Sequence, residues 1–226
     1  MPERNHLEAL TETAITPIAE KIWPTLRAQV KGITLDLWGT ILDDAHPPTD
    51  TIVYSEQRQR FLLEELQRRG YQTTKEQMQA AYKRAWEYFD ELWLKQIAFT
   101  AADGLQEMLR VLHVELPPEN YRRVLEFFEN YKTPPLPLAG VISAIQNLSQ
   151  RYPLALISDT AWTPGRRLRE ILAGCEILQC FQTLIFSGEQ GRTKPHPLMF
   201  ERALAGLQLT PNACLHVGDL QRTDIA

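Results

Sequence analysis

Polar residues recur in this chain at the points where short apolar runs stop. Ile33-Thr34-Leu35 ends at Asp36, followed by Trp38, Gly39 and Thr40. The run at 153–158 ends in Ser158, with Asp159 and Thr160 behind it, and a third run leads through Ser187 to Thr193-Lys194-Pro195. A fourth ends in Gly218-Asp219, with Asp224 five residues further on. If the runs are parallel strands, their carboxyl ends share one edge of a sheet, the edge at which open α/β sheets hold ligands. Carboxylates at neighbouring strand ends repel one another unless a cation comes between them. Singly, Ser158 also reads as a helix cap, Lys194 as a solvated loop lysine and Gly-Asp as turn chemistry. Their order and common position at strand ends make them a set.

The elements that must position this set follow from hydrophobic period. A strand is expected at 31–36, where strand formers in a short apolar run suit burial on both faces. From about 52 to 131 the period is helical. Phe61, Leu62 and Leu66 share one face, and Met78, Tyr82, Ala85, Phe89 and Leu92 form a second stripe behind a capping box from Thr74 to Gln77. Leu105, Met108, Leu109 and Leu112 make a third stripe, and Tyr121, Val124, Leu125 and Phe128 a fourth, with Pro118 suited to a first turn. Four amphipathic helices with no strand between them read as a small bundle, their aromatic faces as its core. After Pro134, Pro135 and Pro137 the pattern alternates. A helix is expected at 138–150, a strand at 153–158, a helix at 164–172, a strand at 183–187, a helix near 197–207 and a strand at 213–217. Alternation of this kind implies an α/β fold with a parallel sheet and helices on both faces. The organisation expected is an N-terminal helical arm at 1–30, an α/β core from 31–48 and 136–226, and a helical insertion at 49–135. In the arm Leu7, Leu10, Ile15, Ile18 and Ile22 are apolar, with Pro17 and Pro24 interrupting; it reads as packed on the body or as a homodimer contact. No closing element follows Asp224-Ile225-Ala226, so the chain is expected to be a fragment whose core is incomplete at that end.

Composition excludes several classes. The hydrophobic share is 44% and the charged share 23%, as in ordinary globular chains. A net charge of -4 with scattered basic residues gives no footprint for nucleic acid. No apolar run is long enough to span a bilayer, and Glu3, Glu8, Glu12 and Glu20 make the first residues unlike a signal peptide. Cys175, Cys180 and Cys214 have no metal spacing and read as reduced thiols of a cytoplasmic protein.

With the pieces Asp36-Leu37-Trp38-Gly39-Thr40, Ile157-Ser158-Asp159, Lys194-Pro195-His196-Pro197 and Gly218-Asp219 with Asp224, the chain over 31–226 resembles the haloacid dehalogenase (HAD) superfamily. The resemblance is to phosphatase-like members that carry a helical cap after the first strand. It implies a Rossmann-like core under a mobile cap that encloses substrate, and a Mg²⁺ cofactor. Asp36 would be the nucleophile that accepts a phosphoryl group, splitting one difficult displacement into two. Ser158 would hydrogen-bond a phosphoryl oxygen, Lys194 would offset charge, Thr40 would steady the nucleophile loop, and Asp159 would lie in the substrate-binding set. Mg²⁺ would be held by Asp36, the backbone carbonyl of Trp38 and Asp219, with Asp224 holding the loop or a ligand water; such oxygen donors suit it.

One position departs from the family pattern. Where most of its phosphatases carry a second Asp as general acid and base, this chain has Trp38. Nucleophile and metal carbonyl remain, while the proton shuttle is lost, typically ~10²–10⁴ in rate. The leading reading is therefore a slow, Mg²⁺-dependent phosphohydrolase acting on a small phosphorylated metabolite. One alternative is a catalytically weak regulatory or binding protein in which Trp38 fills the substrate's space. Another is a 2-haloacid dehalogenase-like hydrolase, to which an aromatic residue at 38 points and the Gly-Asp pair does not. Phosphonate cleavage ranks lower, since 51–60 has no lysine. The substrate is not legible; Arg84, Trp86 and Trp93 are candidates to face it.

Overall fold

The computed structural model describes residues 28–43, 54–130 and 134–224. The arm expected at 1–30 therefore lies outside the described residues except for 28–30. Strand β1 (Gly32–Leu35) is buried throughout and stands inside a four-stranded sheet of order β3-β2-β1-β4. Its partners are β2 (Leu154–Ser158) and β4 (Cys214–Val217), and β2 pairs in turn with β3 (Phe181–Phe186). Every pairing is parallel, with Thr34 opposite Ala155 on one side and His216 on the other.

Both faces of the sheet are covered at its two inner strands, which is why β1 and β2 are buried along their whole length. Ile33, Leu35, Leu154 and Leu156 pack against Ile145 of α5 (Val141–Ser149) and Leu168 and Leu172 of α6 (Gly165–Gly174). The alternate residues Ala155 and Ile157, with Ile185, meet Met199, Ala203 and Leu207 of α8 (Pro197–Leu207). Each of the larger of these side chains contributes roughly 1.5–3 kcal/mol by leaving water.

Boundaries differ from the sequence expectation where side chains compete for the backbone. Strand β3 begins at Phe181 and ends at Phe186; Ser187 instead opens a single helical turn, α7 (Ser187–Gln190). Its hydroxyl accepts the Thr160 N–H at 2.9 Å, which ties this turn to the β2 loop. Helix α5 starts at Val141 rather than 138 because Gly140 sits before it with φ +77, outside helical space.

Between β1 and α5 the described residues form four helices: α1 (Tyr54–Arg68), α2 (Lys75–Leu94), α3 (Ala101–Leu112) and α4 (Pro118–Phe128). The Thr74 hydroxyl accepts the Gln77 N–H, and the Gln77 carboxamide accepts the Thr74 N–H, closing the capping box that starts α2. A second capping box, Thr100 with Asp103, starts α3. Leu62, Leu66, Met78, Tyr82, Ala85, Leu105, Met108, Val124 and Phe128 form the shared core. At its centre is Trp162, which belongs to none of these helices but to the loop after β2, and which is 3% exposed. Tyr82, Trp86, Phe99 and Phe128 surround the indole at centroid distances of 5.2–5.9 Å, and the Arg58 guanidinium lies 5.3 Å from its ring. Gly104 makes room for it, since a β-carbon there would collide with the indole.

Glu65 of α1, 2% exposed, joins α1 to α4. It meets Arg68 at 2.8 Å, Arg69 at 3.3 Å and Arg123, and accepts from the Asn120 carboxamide at 2.9 Å.

Candidate active site

The ladder between β1 and β4 runs one residue past the strands: the Asp36 N–H donates to the Val217 carbonyl at 2.9 Å. Asp36 is thereby fixed at the carboxyl end of the central strand, beside the loop that carries Asp219. Lys194, only 2% exposed, reaches in from the loop after α7. Its ammonium lies 2.8 Å from Asp36 Oδ1 and 2.5 Å from Asp224 Oδ1, so one cation bridges two carboxylates.

Asp224 closes the final turn, α9 (Gln221–Asp224). Its Oδ2 accepts the Leu220 N–H at 3.0 Å, and its Oδ1 also stands 3.1 Å from His216 Nε2. Since a carboxylate only accepts, Nε2 carries the proton here, which in a neutral ring leaves Nδ1 to accept from the Thr34 hydroxyl at 2.8 Å. A continuous chain thus runs Asp36–Lys194–Asp224–His216–Thr34. Asp219 is exposed at the mouth of the site. Gly39, at φ +71, passes so close that any side chain would strike the Asp219 carboxylate. One carboxylate oxygen from each of Asp36, Asp219 and Asp224 lies within 4.8 Å of the others.

Matching charge is undersupplied at Asp36. Burial, with the Asp224 charge adding to it, pushes the Asp36 carboxyl up to about 7 against the pull of Lys194. Asp224 is also penalised by burial, but His216, Lys194 and the Leu220 N–H hold it well below the usual carboxylate range. Lys194 is pushed down by burial and further up by Asp36 and Asp224, so it stays charged. Three hard oxygen donors, one of them reluctant to ionise without another positive charge, are what a small divalent cation such as Mg²⁺ requires. The residues therefore fit the ion. Both Asp224 oxygens are already engaged, by Lys194, His216 and the Leu220 N–H, so Asp224 is a poorer direct ligand than Asp36.

The other expected site residues fall at the same edge with different surroundings. Ser158 is fully buried at the end of β2, its hydroxyl 3.5 Å from the Asp159 carbonyl. Thr40 keeps a buried hydroxyl in the Leu37–Leu42 turn, with no hydrogen-bond partner among the described residues. Asp159 has both oxygens occupied: Oδ1 accepts the Lys194 N–H at 3.0 Å and Oδ2 the Trp93 indole N–H at 3.2 Å. Trp38 is half-buried, packed against the apolar cluster that includes Leu37, Ile41 and Leu42. Of the three insertion residues expected to face substrate, Trp93 reaches the site's edge through Asp159. Arg84 instead pairs with Glu91 and Glu107, and Trp86 lies against Phe89 and Trp162. Sequence reasoning missed His216. The available signal was a titratable residue inside the otherwise apolar run Cys214-Leu215-His216-Val217.

A sequence pattern described as "haloacid dehalogenase-like hydrolase" matches residues 30–226. The chain belongs to this family. As a HAD-like hydrolase it is similar to a phosphoserine phosphatase of Thermus thermophilus, 29% identical over 150 residues that cover 65% of this chain. It spans only 59% of the length of that relative. Among solved structures it resembles a 2-haloacid dehalogenase from Pseudomonas syringae at a TM-score of 0.60 and 20% identity, covering 87% of this chain and 80% of the other. A predicted phosphoglycolate phosphatase from Haemophilus somnus matches at 0.53 and 20%, covering 86% and 79%. At these identities the structural likenesses speak for the HAD fold alone. No described helix is long and apolar enough to cross a membrane.

Proposed function

We propose that this HAD-like hydrolase is a Mg²⁺-dependent phosphohydrolase of small phosphorylated metabolites that works through a phosphorylated Asp36. The observation that carries the reading is the convergence of Asp36, Asp219 and Asp224 within 4.8 Å, with Lys194 bridging two of them. Mg²⁺ held by Asp36, Asp219 and the Trp38 carbonyl would supply the positive charge Asp36 lacks and draw phosphoryl oxygens toward it. Asp36 attacks phosphorus, and the ester oxygen leaves with the alcohol. Water then cleaves the acyl phosphate and releases inorganic phosphate. Lys194 neutralises Asp36 and the incoming phosphoryl group, and Asp224, oriented by His216 and Leu220, holds the lysine in place. No carboxylate stands at position 38 to move a proton, so protonation of the leaving group and activation of water are left to solvent. The reaction is slow for poor leaving groups. The distant likeness to a phosphoserine phosphatase supports a phosphate ester as substrate.

The test is turnover of a panel of phosphate monoesters and acyl phosphates with Mg²⁺ and with chelator, in the native chain and in Asp36→Asn. Metal-dependent phosphate release that the substitution abolishes is expected. Halide release from a 2-haloacid in chelator, without phosphate turnover, would establish the dehalogenase alternative that Trp38 keeps open. No turnover on either panel would leave a binding protein.

A further inference from the structure

Three strand-end loops meet the helical insertion at one place. The Trp93 indole, next to last in α2, donates to Asp159 after β2, and the Arg222 guanidinium carbon lies 3.6 Å from the centroid of the same ring. Immediately beyond, Ile97 pairs antiparallel with Arg192, the Thr193 N–H donates to the Gln96 carbonyl, and the Ala98 N–H to that of Gly191. The roof of the site thus rests on Asp159, on the approach to Lys194, and on Arg222.

Arg222 sits in the turn between Asp219 and Asp224, is exposed, and has no carboxylate partner among the described residues. A guanidinium flat on an indole is fixed in plane, which leaves the N–H groups at its edge available to a planar anion. Other arginines of the molecule, such as Arg68, Arg110 and Arg169, are matched with acids. Arg222 is positioned by Trp93 at the rim of a site whose floor takes a phosphoryl group.

Resting on the phosphohydrolase reading, we infer that Arg222, oriented by Trp93, binds a second anionic group of the substrate. The substrates favoured are therefore small phosphate monoesters that carry a carboxylate or another phosphoryl group a few bonds from the ester. In the competing account Arg222 is only a strut between α9 and α2, and it would then favour no particular ligand.

The experiment uses inert phosphonates that differ only at the far end: ethylphosphonate, 3-phosphonopropionate and ethylenediphosphonate. Each is titrated by calorimetry into the full chain with Mg²⁺ present, and then into Arg222→Gln and Arg222→Lys. The native chain should bind one or both doubly anionic probes about tenfold or more tighter than ethylphosphonate, as a charge-assisted hydrogen bond provides. Whichever probe gains identifies carboxylate or phosphoryl as the preferred group. Arg222→Gln should bring the ratio to within about twofold, and Arg222→Lys should restore part of it. Ethylphosphonate binding with no preference, or a preference unmoved in Arg222→Gln, overturns the inference and leaves the phosphohydrolase reading standing. If none of the three binds, the phosphoryl site itself is wrong and both fall together.

Discussion

Two buried carboxylates, one in each half of the molecule, are treated in opposite ways. Glu65 in the helical insertion is 2% exposed and meets three arginines and a carboxamide. Asp36 at the sheet edge is 5% exposed and shares a single lysine with Asp224. The first is oversupplied with partners and staples two helices. The second is undersupplied, held up to about 7 by burial, and faces two more acids. A buried carboxylate with all its charge matched is architecture. One with charge left unmatched, at a strand end, is prepared for something that arrives.

The sharpest way to break this contrast is Asp36→Asn, which should abolish turnover and labelling of the chain by a reactive phosphoryl donor. Its effect on folding has the opposite sign. The Asp36 carboxyl rises from 3.8 to about 7 on folding, so its proton stabilises the native state fully below pH 3.8, and that contribution is lost as pH rises through 7. In metal-free chemical denaturation the native chain should therefore lose on the order of a few kcal/mol across that window, and Asp36→Asn should lose less. Equal pH slopes would show that the charge of Asp36 is matched after all.

Trp38→Asp tests the missing shuttle. Steady-state hydrolysis should rise by up to ~10²–10⁴, less the cost of losing indole packing against the apolar cluster around β1. Rapid-quench measurement of label on Asp36 should show it accumulating in the native chain and clearing faster in the variant.

Addition of Mg²⁺ should sharpen the contrast from the other side. At a hundredfold excess over the dissociation constant, a ligand specific to the native state stabilises it by about 2.7 kcal/mol. Thermal denaturation should show that gain in the native chain and its loss in Asp219→Ala. A full shift in the variant would place the ion elsewhere.

Glu65→Ala should give the smallest effect, roughly 2 kcal/mol of lost stability by denaturant titration. That is below the ~3–5 kcal/mol of a fully buried pair broken on one side, because Arg68 and Arg123 are about half exposed and can turn to water. Activity per folded molecule should be unchanged, and Mg²⁺ should not compensate the loss.

The comparison also explains what was legible in sequence. Strands β1 and β2 were readable because burial along their whole length makes them short, mostly apolar runs, β4 because Cys214, Leu215 and Val217 still stand out around His216, and the helices of the insertion because each keeps an apolar stripe. Asp36, Lys194, Asp219 and Asp224 were readable as a set because parallel strands send all their carboxyl ends to one edge. What was not legible depends on register. That His216 meets Asp224 follows from its pairing opposite Thr34 and from a turn closing back through Leu220, neither of which leaves a local pattern. The Asp159–Trp93 bond spans 66 residues, and the arginines that meet Glu65 come partly from α4, so only the folded chain brings them together. Trp162 sits in a loop outside every periodic stripe, so nothing local marks it as a core residue.

Trp162 has a consequence for the order in which the chain is built. Every ring that packs around it, from Tyr82 to Phe128, is synthesised earlier, and the indole that fills the space between them comes more than thirty residues after Phe128. A nascent chain that has reached residue 130 carries all four helices of the insertion but has a gap where their core should close. The gap is filled only when the loop after β2 emerges, and β2 itself must find β1, whose strand was made before the insertion began. The insertion and the sheet therefore complete one another, the core of the earlier helices closing only when the later loop is in place. Excised as residues 54–130, the helices should keep their secondary structure but lose fixed side-chain packing.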